Sequence, residues 1–164
     1  DMMCMAKALT NGAQPMGAVA VRDGIYDTVV DAAPEGAVEL FHGYTYSGHP
    51  AACAAGLATL DIYEKENLFE RGAALSPYFL DAMYGLEDLP LITDIRGYGL
   101  LAGFDLEPSD APGARGADVM KRLYEAGIYI KFTGDSGLVA PPLIAGEKDV
   151  DTIRDTLRAV LAEV

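Results

Sequence analysis

Hydrophobic and polar positions change rhythm several times along the chain, and each change predicts an element. Gly17–Val21 (GAVAV) is an apolar run of small and β-branched residues, which predicts a buried strand with no wet face. Residues 31–36 collect Ala, Pro, Glu and Gly without a period and predict an exposed loop. Pro50 suits the first position of a helix, where its missing N–H would have no partner, and the helical pattern then runs to about Leu68. The first half of that helix, residues 51–56, has almost no side-chain bulk and can lie close against a neighbour. The second half is charged, with Asp61 and Lys65 at i,i+4 spacing. A second helical pattern follows through Leu75, Phe79 and Met83.

Beyond it the pattern becomes an α/β alternation. Residues 91–106, with Gly97 and Gly99 in the middle, predict a bent strand pair. Val119, Met120, Leu123 and Ala126 recur at helical spacing, and Gly127 stands where a helix ends on a residue of positive φ. Ile128, Ile130 and Phe132 then alternate with Tyr129 and Lys131, so a strand would put the apolar trio on one face and Lys131 on the other. Residues 149–164 carry Val150, Ile153, Leu157, Val160, Leu161 and Val164 on one stripe, with Arg154 and Arg158 outside it, and predict an amphipathic closing helix. Val119, Leu123, Ile128, Ile130, Phe132, Ile153, Leu157 and Leu161 are the expected core of this second part. The change of character places a domain boundary in the helical region near residues 69–75, giving domains of residues 1–74 and 75–164.

Composition narrows the class. At 164 residues, 51% hydrophobic and 23% charged, the chain can bury a core and is not disordered. A formal charge of -13 argues against nucleic acid and anionic lipid surfaces. The longest stretch without Asp, Glu, Lys or Arg, residues 40–60, is broken by Gly43, Ser47, Gly48, His49 and Pro50, so it does not read as a membrane helix. Cys4 and Cys53 lack the spacing of a disulfide framework or a CxxC site and read as free thiols. With no basic segment leading into an apolar one at the start, a cytoplasmic location is expected. The opening on Asp1 rather than Met suggests that residues upstream are missing.

Two places could carry chemistry. Lys7 is the only charged residue between Asp1 and Arg22 and is set among Met5, Ala6, Ala8 and Leu9. An amine desolvated by such neighbours is made nucleophilic, as Schiff-base chemistry requires. A helix lysine reaching to the surface has the same local sequence. The other place is the polar and aromatic run Phe41-His42-Gly43-Tyr44-Thr45-Tyr46-Ser47-Gly48-His49 before Pro50. Hydroxyls and backbone N–H groups at a helix start suit a phosphate or carboxylate, and equally serve as caps. His42 and His49 have no acidic or Cys partner at ligand spacing, so no metal site is expected.

Taken in order, Ala6-Lys7-Ala8-Leu9-Thr10-Asn11-Gly12, Pro15-Met16-Gly17-Ala18-Val19, residues 42–57 and Glu66-Asn67-Leu68 resemble the class III aminotransferases that use pyridoxal phosphate. Arg96-Gly97-Tyr98-Gly99-Leu100 and Ala140-Pro141-Pro142-Leu143 resemble the small domain of the same family, so the likeness covers essentially the whole chain. The HGYTYSGHP run is most similar to the omega-amino acid (beta-alanine):pyruvate group.

The resemblance implies an α/β fold: part of the large domain of the PLP-dependent transferases of fold type I, followed by the small C-terminal α/β domain. It implies pyridoxal 5'-phosphate as cofactor, and transfer of an amino group from an omega-amino acid or amine to pyruvate or another 2-oxo acid. Lys7 matches the lysine that forms the aldimine with the cofactor and shuttles the proton. Thr45 matches the threonine that reaches the cofactor phosphate across a homodimer interface, with Tyr44 beside it as a cofactor-binding residue. Lys131 falls where the omega-amino acid group carries an arginine for the substrate carboxylate; a lysine keeps the charge but lacks the bidentate fork. An exposed edge-strand lysine reads equally well there. The family's aspartate on the pyridinium nitrogen, its same-subunit phosphate ligands and its stacking ring would precede Asp1. This chain therefore resembles a C-terminal fragment, expected to be inactive in isolation. A non-catalytic truncated module, or an aminomutase or decarboxylase of the same fold, are the alternatives.

Overall fold

A computed structural model describes residues 1–40 and 42–164, and the chain divides into two compact units, Asp1–Asn67 and Leu68–Val164. In the first unit, β1 (Met2–Ala6) pairs antiparallel with β2 (Gly17–Val21), from Met2 opposite Val21 to Ala6 opposite Gly17. A single 3-10 turn, Lys7–Leu9, leaves β1, and a loop returns the chain to β2. Helices α1 (Asp23–Asp31) and α2 (Pro50–Lys65) complete the unit.

The strand over residues 17–21 forms as its composition predicts, but only Ala18 in it is even half-buried. Its partner β1 is equally apolar and equally open: Met2, Met3, Val19 and Val21 are all exposed. A two-stranded ribbon has two faces and no second layer among the described residues, so apolar side chains alone do not bury it.

Pro50 does stand in the first turn of α2, and the helix ends at Lys65, three residues before the sequence pattern ends it. Asn67, at φ 49, breaks the path, and α3 (Leu68–Tyr84) starts afresh. Small residues on α2 do the work their size predicts. Gly56 is buried where an added Cβ would lie 3.6 Å from Met16 Sδ and 3.7 Å from the Leu9 carbonyl oxygen, so the helix seats directly on the turn that follows β1.

The second unit is an antiparallel sheet with three helices. Strands β3 (Ile92–Tyr98), β4 (Leu101–Leu106), β5 (Lys131–Thr133) and β6 (Ser136–Val139) lie in the order β3-β4-β6-β5. Gly99, at φ 60, takes the first place of the two-residue loop between β3 and β4, where a type II′ hairpin turn requires glycine. Residues Ile95, Phe104, Gly137 and Phe132 form one cross-strand row. That row faces the core, where Phe104 and Phe132 meet edge-to-face at 5.7 Å. Gly137 is obligatory between them, because a Cβ there would lie 2.3 Å from the Phe104 ring.

Helix α4 (Ala114–Glu125) and helix α5 (Glu147–Leu161) join α3 in closing this core, in which Phe79, Val119, Leu123, Val150 and Leu157 are fully buried. The expected core residues are there: Val119, Leu123, Ile130, Leu157 and Leu161 inside, with Ile128, Phe132 and Ile153 packed against them. Val164, placed on the stripe by its spacing, lies past the end of α5 and is exposed. At the end of α4, Ile128 N–H donates to the Leu123 carbonyl and Gly127 N–H to that of Tyr124, with Gly127 at φ 92, the closure that a left-handed residue permits. Among the described residues, no helix is long and apolar enough to cross a membrane.

Candidate active site

Lys7 emerges from the end of β1 at φ 51, a backbone conformation uncommon for residues with a side chain. Its side chain is exposed, so its apolar sequence neighbours do not enclose it within this chain. In the strand before it, Met3 and Met5 point to one face and Met2 and Cys4 to the other, and of the four only Met5 is half-buried among the described residues. The turn itself is firmly held. Ala6 pairs with Gly17 in the ladder, Thr10 N–H donates to the Lys7 carbonyl at 3.3 Å, and the Thr10 hydroxyl, on a residue 2% exposed, donates to the Gln14 carbonyl at 2.5 Å.

The second sequence cluster meets this loop. Thr45 and Tyr46 lie at the centre of a turn closed by Ser47 N–H donating to the Tyr44 carbonyl at 2.9 Å, with Tyr46 at φ 66 and Gly48 at φ 69. The turn runs into the start of α2, and with Gln14, Met16 and Gly17 it encloses a cavity of about 450 Å³. Thr45 is in the cavity wall, as are Tyr46, Ser47, His49 and Cys53. Tyr44 and Lys7 are outside the wall; the Tyr44 ring leans on His42 at 4.7 Å. Phe41 lies outside the described residues. Among the described residues no side chain caps α2, and its first turn has no acidic residue, so its positive end is open toward the cavity side.

Lys131 belongs to the second unit, where β5 is the sheet edge. Arg96, Gly103, Leu138 and Lys131 share one cross-strand row, adjacent to the core-facing row and therefore turned the opposite way. These residues, with Tyr98 and Ser136, line a cavity of about 310 Å³. Arg96 is already committed. It donates to Asp94 at 2.5 Å and to Asp105 at 2.7 and 3.1 Å, and Ser136 adds its hydroxyl to Asp105 at 2.5 Å. The Arg96 guanidinium, followed by the Ser136 hydroxyl, holds the Asp105 carboxyl below its ordinary range, and the two aspartates keep Arg96 cationic. Lys131 also lines this cavity, and among the described residues no carboxylate pairs with it. Cys4 and Cys53 are both free thiols. Among the described residues no group of three or more His, Cys, Asp and Glu is placed to hold a metal.

Tyr46 and Ser47 belong to the polar run already singled out before Pro50, whereas Gln14 joins the cavity through loop geometry that has no periodicity, and the left-handed backbone at Lys7 has no marker in its residue type.

The chain is 48% identical to an omega-aminotransferase of Caulobacter vibrioides, the match covering 100% of this chain and 37% of that protein. It is 42% identical to the beta-alanine--pyruvate aminotransferase of Pseudomonas aeruginosa, covering 98% of this chain and 36% of that protein. The chain thus spans little more than a third of the length of these relatives. Among solved structures, the omega transaminase of Pseudomonas jessenii in complex with PMP superposes with a TM-score of 0.86 at 30% identity, covering 99% of this chain and 37% of that one. The fold is therefore the α/β fold of the transaminases, present in part. The sequence pattern of "Aminotransferase class-III" matches residues 1–161, and the chain belongs to the class III aminotransferase family.

Proposed function

We propose that this protein is a pyridoxal 5'-phosphate-dependent transaminase moving an amino group from an omega-amino acid or amine to pyruvate or another 2-oxo acid. The observation that carries the reading is the cavity in which residues 14–17 and 45–49, distant in sequence, converge at the start of α2. Its donor set suits a phosphate monoester: the Thr45 and Ser47 hydroxyls, the uncapped end of a 16-residue helix, and no carboxylate in the wall. The names of the two relatives support the choice of amino donor and acceptor.

When bound, pyridoxal phosphate supplies the electron sink for carbanion chemistry at the substrate. This chain's residues contribute part of the site. Lys7 Nζ holds the cofactor and moves the proton, and its exposure within these residues leaves it open to both cofactor and substrate. Thr45 Oγ1 and the Tyr44 side chain bind the cofactor, Thr45 reaching it across the interface of a homodimer with shared sites. Lys131 pairs the substrate carboxylate. Residues 1–74 are the end of the large domain and residues 75–164 the small domain, in a cytoplasmic enzyme.

The test is chemical trapping. The full-length protein is mixed with pyridoxal phosphate, reduced with borohydride and mapped by peptide. Label on Lys7, together with loss of transamination by roughly 10³-fold in Lys7→Ala, is the expected result. Label on another lysine overturns the assignment.

A further inference from the structure

We propose that Tyr63 is a positioning residue for Lys7, an inference that rests on Lys7 being the amine that holds the cofactor. The Tyr63 hydroxyl donates to the carbonyl of Ala8 at 2.7 Å, joining α2 to the residue after Lys7 across 55 positions of sequence. Ala52, Gly56, Thr59 and Tyr63 fall at successive spacings of four, three and four, so they share one face of α2. That face seats on the turn: at Gly56 the Leu9 carbonyl oxygen is 3.7 Å from where a Cβ would stand. Tyr63 is two turns further along the same face and is half-buried.

The need for such a tie comes from the backbone. Lys7 at φ 51 is held in a region that costs a side-chain-bearing residue free energy, and it persists only where its surroundings leave no alternative. On the N-terminal side the Ala6–Gly17 pairing supplies the constraint, and on the C-terminal side the Thr10 N–H bond to the Lys7 carbonyl contributes. Both are local. The bond from Tyr63 is a polar tie between the turn and a separate, regular element, and it helps fix where the turn sits on α2. Without it Lys7 relaxes toward negative φ, and Nζ, at the end of four methylenes, swings away from its working place. Nothing in the reaction requires the tyrosine hydroxyl to touch cofactor or substrate.

The experiment uses the full-length protein with Tyr63→Phe, which keeps the ring and removes the hydroxyl. Thr59→Ala on the same helix is the comparison: it deletes a hydroxyl whose bond among the described residues stays within α2, to the Ala55 carbonyl at 2.9 Å. The first readout is the rate at which pyridoxal phosphate becomes borohydride-fixed to Lys7, followed by peptide mapping. The second is the division between kcat and KM. In Tyr63→Phe the fixation rate and kcat fall about tenfold with KM within about twofold. Its Tm stays within about 2 °C of the parent, and Thr59→Ala fixes cofactor at the parent rate. Parent-like fixation in Tyr63→Phe, or an equal loss in Thr59→Ala, overturns the proposal, because the effect is then absent or a general loosening of α2. Label away from Lys7 in the parent protein instead overturns the reading beneath it, so the two failures are told apart.

Discussion

In residues 68–164, Phe79, Val119, Leu123, Val150 and Leu157 are wholly removed from solvent, whereas in residues 1–67 the buried positions among those described are Thr10, Ala52, Gly56 and Thr59. None of the latter is larger than threonine. The second unit is ordered by packing, the first by hydrogen bonds: the β1–β2 ladder, Thr10 to Gln14, Tyr63 to Ala8. The candidate catalytic lysine belongs to the unit that, among the described residues, buries no large side chain. Side chains placed for chemistry need a fixed backbone and an open front, and a bonded turn on a helix of small residues provides both. A packed core provides rigidity at the expense of access.

Leu157→Ala and Leu57→Ala delete the same atoms from the two units and test this contrast most strongly. Leu157 is 0% exposed and its truncation should cost about 3 kcal/mol. Leu57 is 68% exposed and its truncation should change stability by less than about 0.5 kcal/mol. Urea unfolding of the full-length variants measures both; equal losses would mean that Leu57 is covered in the complete protein. Lys131→Arg restores the bidentate fork on the second unit's sheet edge. It should lower KM for a carboxylate-bearing donor by about tenfold and leave KM for a simple amine unchanged, as steady-state kinetics with both donors will read.

The smallest effect is in acid. Arg96 and Ser136 hold Asp105 below its ordinary range, and Arg158 does the same to Asp88. A folded-state value below the unfolded one gives stability that is complete above the ordinary carboxylate range and is lost as pH falls through the lowered value. Asp105→Asn should therefore be less stable at neutral pH and decline less steeply between about pH 5 and pH 2. Urea midpoints across that range check the slope, and an unchanged slope would show that Asp105 is not among the groups that set it.

The same division governs how much could be read from the sequence. Where a residue's period and its layer agree, as for Val119, Leu123, Ile130, Leu157 and Leu161, the core was legible, whereas Leu86, Phe104, Leu106 and Val139 join it without having been singled out. The Gly127 stop, the Asp61–Lys65 pair at 2.7 Å and the strand pair around Gly99 followed from local chemistry alone. In the first unit the strand over residues 17–21 was legible but its burial was not, because burial needs a second layer that periodicity does not supply. Helix α1 and strand β1 carry no cap or alternation strong enough to announce them. Lys7 and Thr45 were singled out through family resemblance; the turns that hold them are local, but the reach of Tyr63 to Ala8 spans more than fifty residues and has no sequence signal.

The closure at Gly127 has one more consequence. By fixing where α4 stops, it sets the parity of everything after it: Ile128 and Ile130 go inward and Tyr129 and Lys131 outward. Ladder pairing begins only at Lys131, three residues after the alternation predicts it, so in residues 128–130 the inward turn of the two isoleucines rests on their core contacts and not on a sheet. A residue inserted in that unpaired stretch would have to bulge outward to keep Ile130 in the core and Lys131 on the open face.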